Sequence, residues 1–168
     1  MTPMRFHLAQ INVGRMRGPI DDPVMKGFKD QLDPINALAD RSPGFVWRLQ
    51  TEDGNATAIR PDAADPLMAM NMSVWESIEA LQQYVYKSSH VGPLRDRKEW
   101  FEPMEGPILA LWWIPAGHVP TVAEGLERLA HLKQHGPTAH AFTFRAPFPA
   151  PGGEPVEGLD AQFCDFAS

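Results

Sequence analysis

The stretch LMAMNMSVWESIEALQQYVYKS, residues 67–88, changes hydrophobic period part-way along, and the rest of the chain is read outward from it. Its first six residues alternate, with Met68, Met70 and Met72 on one side, as a half-covered strand requires. Further on, the apolar residues recur as Val74, Ile78, Leu81 and Val85, the steps of three and four that mark one face of a helix. Between the two patterns, Ser73-Val74-Trp75-Glu76 matches a capping box, serine at the N-cap with a glutamate three residues later. The expectation is a strand over 67–72 and a helix opening at Ser73 and running to about Ser88.

Upstream, residues 6–13 alternate as a first strand, with Phe6, Leu8, Gln10 and Asn12 sharing one face. Asp21 or Asp22 then caps a helix with Pro23 just inside its start, where the missing N–H costs nothing. Its stripe is Val24, Phe28, Leu32, Ile35 and Leu38, and because the period continues across Pro34 the segment reads as one kinked helix. After the turn Ser42-Pro43-Gly44, residues 45–49 form a second strand. Residues 51–66 form a long polar connection, of the kind that borders ligand sites.

Downstream, Pro93 opens a short basic helix that ends near Trp100 and Phe101. Residues 108–114 are apolar on both faces, a strand covered on both sides. Thr121-Val122-Ala123-Glu124 is a second capping box, opening a helix stopped by Gly136-Pro137. Residues 141–145 read as a last strand, and 147–155 hold four prolines and two glycines, an extended tail.

The order is βαββαβ followed by a C-terminal helix and strand, an α+β domain of ferredoxin-like type over residues 1–146 with a Pro/Gly-rich tail at 147–168. Such a unit packs its two helices on one face of an antiparallel sheet and leaves the other face bare. Trp47, Trp112, Trp113 and the strand methionines carry more apolar surface than one helical layer covers, so a homodimer closing over the open face is expected.

Composition narrows the function. No apolar run approaches the roughly 20 residues of a membrane span, and the start of the chain shows no basic-then-apolar leader, so no membrane partner is expected. The single cysteine, Cys164, can make no internal disulfide and supports no zinc site, which places the protein in the cytoplasm. A net charge of −6 argues against a nucleic-acid surface. The nucleotide, zinc-peptidase and serine-hydrolase motifs G-x-G-x-x-G, P-loop, H-E-x-x-H and G-x-S-x-G are absent.

What remains is a set of polar residues in apolar elements. Gln10, Asn12 and Asn71 lie in strands and are suited to orient the polar handle of a small apolar or aromatic ligand, or else to bond one another. Trp47, Trp75, Trp100 and Trp112 either frame such a cavity or fill the core. Arg97 pairs either with an anionic ligand or with a nearby Asp or Glu. His90 follows the central helix, whose carbonyl end favours a protonated imidazole; it is either functional or a cap. His131 and His135 stand four apart, with His140 beyond, but no metal site is assigned to them.

Several strings are specific enough to point to a family. NMSVWES at 71–77, YVYKSSH at 84–90, RKEWF at 97–101, LWWIPAGHVPT at 111–121 and GPT at 136–138 resemble the domain-of-unknown-function 3291 family, over about residues 6–151. That family in turn resembles the dimeric α+β barrels, whose relatives include antibiotic-biosynthesis monooxygenases, haem-degrading monooxygenases and cyclases of polyketide-like substrates. The resemblance implies a cofactor-independent oxygenation or cyclisation of an aromatic or polycyclic substrate. His90 would be the acid or base, with Arg97, Asn12 and Gln10 polarising the substrate. The alternatives it leaves are a haem-binding or haem-degrading protein with His90 on the iron, and a non-catalytic hydrophobic-ligand binder or structural dimer.

Overall fold

The computed structural model describes residues 4–51, 59, 61, 64–88 and 97–154 of the 168-residue chain. Strand β1 (Phe6–Met16) is the spine of a five-stranded sheet. A 3-10 turn (Pro23–Met25) and helix α1 (Lys26–Asp40) lead to β2 (Phe45–Arg48), then β3 (Met68–Trp75) and α2 (Ile78–Ser88). A four-residue helix, α3 (Arg97–Trp100), runs into β4 (Phe101–Glu102), followed by β5 (Leu109–Pro115) and α4 (Val122–His135). β3 lies between β2 and β1, antiparallel to both. The other edge of β1 pairs with β5 along Phe6 to Asn12 and with β4 at Arg15 and Met16, again antiparallel. This is the interleaved βαββαβ arrangement expected from the order of elements.

The cap expected for the first helix closes the 3-10 turn instead: Asp22 accepts from the Val24 amide at 2.9 Å and Pro23 stands at the turn's first position, while α1 follows from Lys26 without a side-chain cap and runs through Pro34 as a single element. α4 opens as expected, with the Thr121 hydroxyl accepting from the Glu124 amide at 3.1 Å. In the turn before β2, Gly44 has φ of +82°, and a Cβ there would sit 2.5 Å from that of Ala80. Only glycine fits both the backbone and the space.

The start of α2 differs from the capping-box reading. β3 continues to Trp75, its last residues paired with Leu8 and Phe45 of the neighbouring strands, so Ser73 is a strand residue. The cap is Ser77, whose hydroxyl accepts from the Ala80 amide at 3.1 Å. Val74 and Trp75 are β-branched and aromatic, and two flanking strands offer them ladder bonds that an isolated helix start cannot match.

The two faces of the sheet carry separate cores. α1 and α2 cover one face, where Leu8, Trp75, Ile78, Leu81, Val85, Leu111 and Phe142 pack together. The opposite face is not bare: Leu129 and Leu132 of α4 pack there on Ile11, Met72, Val74, Trp112 and Ile114. α4 approaches closely at Gly125, where a Cβ would lie 2.7 Å from Met72 Sδ and 2.9 Å from Ile11 Cδ1. The C-terminal helix thus takes up much of the apolar surface from which a second copy was inferred, and the dimer expectation loses the open face it rested on.

The expected strand at 141–145 shrinks to one bridge, Leu111 with Phe142, closed by two backbone bonds of 2.9 Å. Thr138 and Thr143 explain why: their hydroxyls accept from the His140 and Ala146 amides, local turns that compete with a ladder. The proline-rich segment beyond does not start as a free tail. Phe148 packs against the first core, and its carbonyl accepts from Trp113 Nε1 at 2.9 Å. No helix among the described residues is long and apolar enough to cross a membrane.

Candidate functional site

The α1 stripe does not seal onto the sheet. Phe28, Leu32, Ile35 and Leu38 are only half buried, and Val24 is exposed in the turn before the helix. The reason lies opposite, on β1. Alternation brings Leu8, Gln10, Asn12, Gly14 and Met16 to the helix-covered face, so its middle presents two amides and a glycine in place of large apolar groups. The register sets Gln10 against Ser73, Asn12 against Asn71 and Gly14 against Ala69. A cavity of ≈190 Å³ remains between this strip and the two helices.

Its sheet wall is a hydrogen-bonded polar ladder. Gln10 Nε2 donates to Asn71 Oδ1 and to Ser73 Oγ, both at 2.8 Å. Ser73 Oγ also accepts from Trp75 Nε1 at 2.8 Å, which satisfies the fully buried indole. Asn12, beside this ladder, makes no side-chain hydrogen bond among the described residues and turns an unused amide to the cavity. The helix wall is apolar apart from Asn36, Ser88 and Tyr84. Tyr84 stacks on Trp75 at 5.0 Å between centroids and donates to the Ile35 carbonyl at 3.4 Å. Burial pushes its phenol up to about 12.

Two arginines complete the lining. Arg48 is held by Asp40, Nε to Oδ1 at 2.7 Å. The Arg97 guanidinium lies 5.1 Å over the Phe101 ring, makes one long 3.5 Å bond to the Val13 carbonyl, and has its pKa pushed down by burial. Among the described lining residues there is no Asp, Glu, His, Lys or Cys. This wall binds and polarises, but none of its described side chains exchanges protons near neutral pH.

The residues singled out from the sequence divide cleanly. Gln10, Asn12, Asn71, Trp75 and Arg97 meet at the cavity. Trp47 and Trp112 lie in the core on the opposite sheet face. There Trp112 Nε1 donates to Glu124 at 2.9 Å. Burial pushes the Glu124 carboxyl up, but bonds to His118 and Trp112 outweigh that and leave it below the usual range. Trp100 packs with Met16 and Met25 in a third cluster. His90 lies outside the described residues. Five polar cavity residues were not singled out from the sequence: Arg48, Ser73, Ser88, Tyr84 and Asn36. Extending the alternation of β3 by one step would have placed Ser73 beside Asn71, whereas Tyr84 and Asn36 carry no local mark.

His131, His135 and His140 do gather, with ring centroids 4.4 and 4.5 Å from His131. Arg128 donates to His140 Nδ1 at 3.0 Å, which leaves Nε2 to donate to Glu127 at 2.8 Å. No group of three or more His, Cys, Asp or Glu among the described residues is arranged to hold a metal.

The family model for the domain of unknown function DUF3291 matches residues 7–158. The chain belongs to that family. In this DUF3291 chain the match spans every described strand and helix apart from the first residue of β1, the cavity walls included. No curated protein matches the sequence.

Proposed function

We propose that the protein takes up a small, flat, mostly apolar organic molecule between its helices and sheet and polarises one oxygen of it. The observation that carries this reading is the ladder Gln10–Ser73–Trp75–Asn71 with the unused Asn12 amide beside it, set in a mostly apolar cavity. Asn12 is partly buried, and its amide faces the cavity without a protein partner among the described residues, so the wall suits a ligand that completes it. Size narrows the ligand. An engineered cavity of about 150 Å³ holds benzene, so ≈190 Å³ suits one ring or two fused rings, smaller than the polycyclic substrates of the sequence-based expectation.

Stabilising charge on a phenolate or enolate oxygen is what cofactor-independent oxygenation and cyclisation both require, and positioned amide donors serve it. The base for such a reaction would be His90, outside the described residues, or the substrate itself. Haem fits the described lining poorly. The described lining has no His or Cys, the Tyr84 phenol is held protonated, and the methionines Met16, Met70 and Met72 are packed into apolar clusters.

The test is a binding series with phenol, 1-naphthol, benzaldehyde and naphthalene, followed by calorimetry and native mass spectrometry. The oxygen-bearing probes are expected to bind more tightly than naphthalene, and Asn12→Ala to remove that difference. Leu32→Trp, which fills the cavity, is expected to abolish binding while the circular dichroism is unchanged. No binding by any probe at millimolar concentration refutes the reading.

A further inference from the structure

Among the described residues, the charges around the cavity leave Arg97 without a carboxylate. Arg15, at the end of β1, takes both nearby acids, Glu102 at 2.6 Å and Asp65 at 3.1 Å. Arg48 takes Asp40. Arg17 Nε donates to the Lys98 carbonyl. Arg97, half-buried at the cavity wall, is paired with no carboxylate among the described residues; it has the Phe101 ring and one long bond to Val13. A guanidinium taken partly out of water without a counter-ion is costly, and anions are what its fork of donors fits.

The sheet makes room for it. Gly14 stands in the interior of β1, where glycine weakens a strand by about 0.5–1 kcal/mol relative to alanine. A Cβ on Gly14 would lie 2.7 Å from Phe101 Cδ1 and 3.4 Å from Arg97 Nη2. The missing side chain is therefore the space that the ring and guanidinium occupy, the close approach a strand glycine marks. Asn12 lies two residues along the same strand face, so its unused amide is the neighbouring donor.

We infer that the cavity's ligand is an organic acid, one or two rings bearing a single carboxylate, with Arg97 binding the carboxylate and Asn12 donating beside it. This rests on the cavity reading above and specifies the oxygen handle as an anion. The carboxylate's fork geometry matches the guanidinium, and its charge replaces the counter-ion the protein does not provide.

Matched pairs separate the two readings: benzoate with benzamide, and 1-naphthoate with 1-naphthamide, titrated calorimetrically into the full chain. The carboxylates are expected to bind about tenfold more tightly than the amides, as a charge-assisted bond implies. Arg97→Gln is expected to bring carboxylate affinity down to that of the amides, erasing the preference, and Arg97→Lys to keep part of it. Should Arg97→Gln not fold, the wild-type protein still decides: benzoate should raise the melting temperature more than benzamide, and less so in high salt. Amides binding as well as carboxylates, or a preference that survives in Arg97→Gln, overturns the anion assignment and leaves the cavity reading standing. Failure of both members of each pair overturns both.

Discussion

Ser73→Ala removes one oxygen and should cost far more than its place beside a helix suggests. Ser73 Oγ accepts from Gln10 Nε2 and from Trp75 Nε1, each at 2.8 Å. Trp75 is 0% exposed, so its indole N–H loses its acceptor with no water to replace it. Leaving such a donor unsatisfied costs about 1–3 kcal/mol. Gln10 keeps Asn71 as a partner, so the second loss is nearer about 1 kcal/mol. The total is about 2–4 kcal/mol, or roughly 4–16 °C in melting temperature for a chain of this length. Urea unfolding followed by far-ultraviolet circular dichroism measures it, provided the slope with denaturant is unchanged. Ser77→Ala is the control: it removes the true N-cap of α2 and should cost about 1 kcal/mol. If Ser73→Ala costs no more than Ser77→Ala, the ladder does not hold the cavity wall as described here.

Two further outcomes test other parts of the fold. Gly125→Ala puts a Cβ 2.7 Å from Met72 Sδ and 2.9 Å from Ile11 Cδ1, so those buried side chains must shift and the variant should gain less than the roughly 1 kcal/mol that Gly→Ala gives in an open helix; a full gain would mean α4 does not lie on that face. Burial, with His135 and His140 alongside, holds His131 below the usual imidazole pKa, and these effects outweigh Glu127. The folded state therefore binds fewer protons there than the unfolded one. The corresponding stability is present above about pH 6.5 and lost as the pH falls through the lower folded value. Melting temperature should drop between pH 7 and 5, and His131→Gln should flatten that drop; an unchanged profile would refute it.

The local patterns in the chain carry only local information, and they carried it well. Period two in β1 placed Gln10 and Asn12 on one face, and period 3.6 with a threonine cap set α4 from Val122 onward. Where two local signals conflicted, at 73–76, partners distant in sequence decided. Trp75 pairs with Leu8 and Phe45, so strand geometry prevailed over a capping box. Period two could not say which helices would cover a face, nor that α4 would fold back over the opposite one. Arg97 shows the limit most clearly. The sequence offered it several acids within a few residues, yet one of them, Glu102, pairs instead with Arg15, 87 residues away, which also holds Asp65. Backbone periodicity fixed most elements and the face most residues present, but not the boundary at 73–76 or the strand at 141–145. Where the helices fail to seal, and which described charge finds no carboxylate, depend on contacts between residues far apart in the chain, which no local pattern carries.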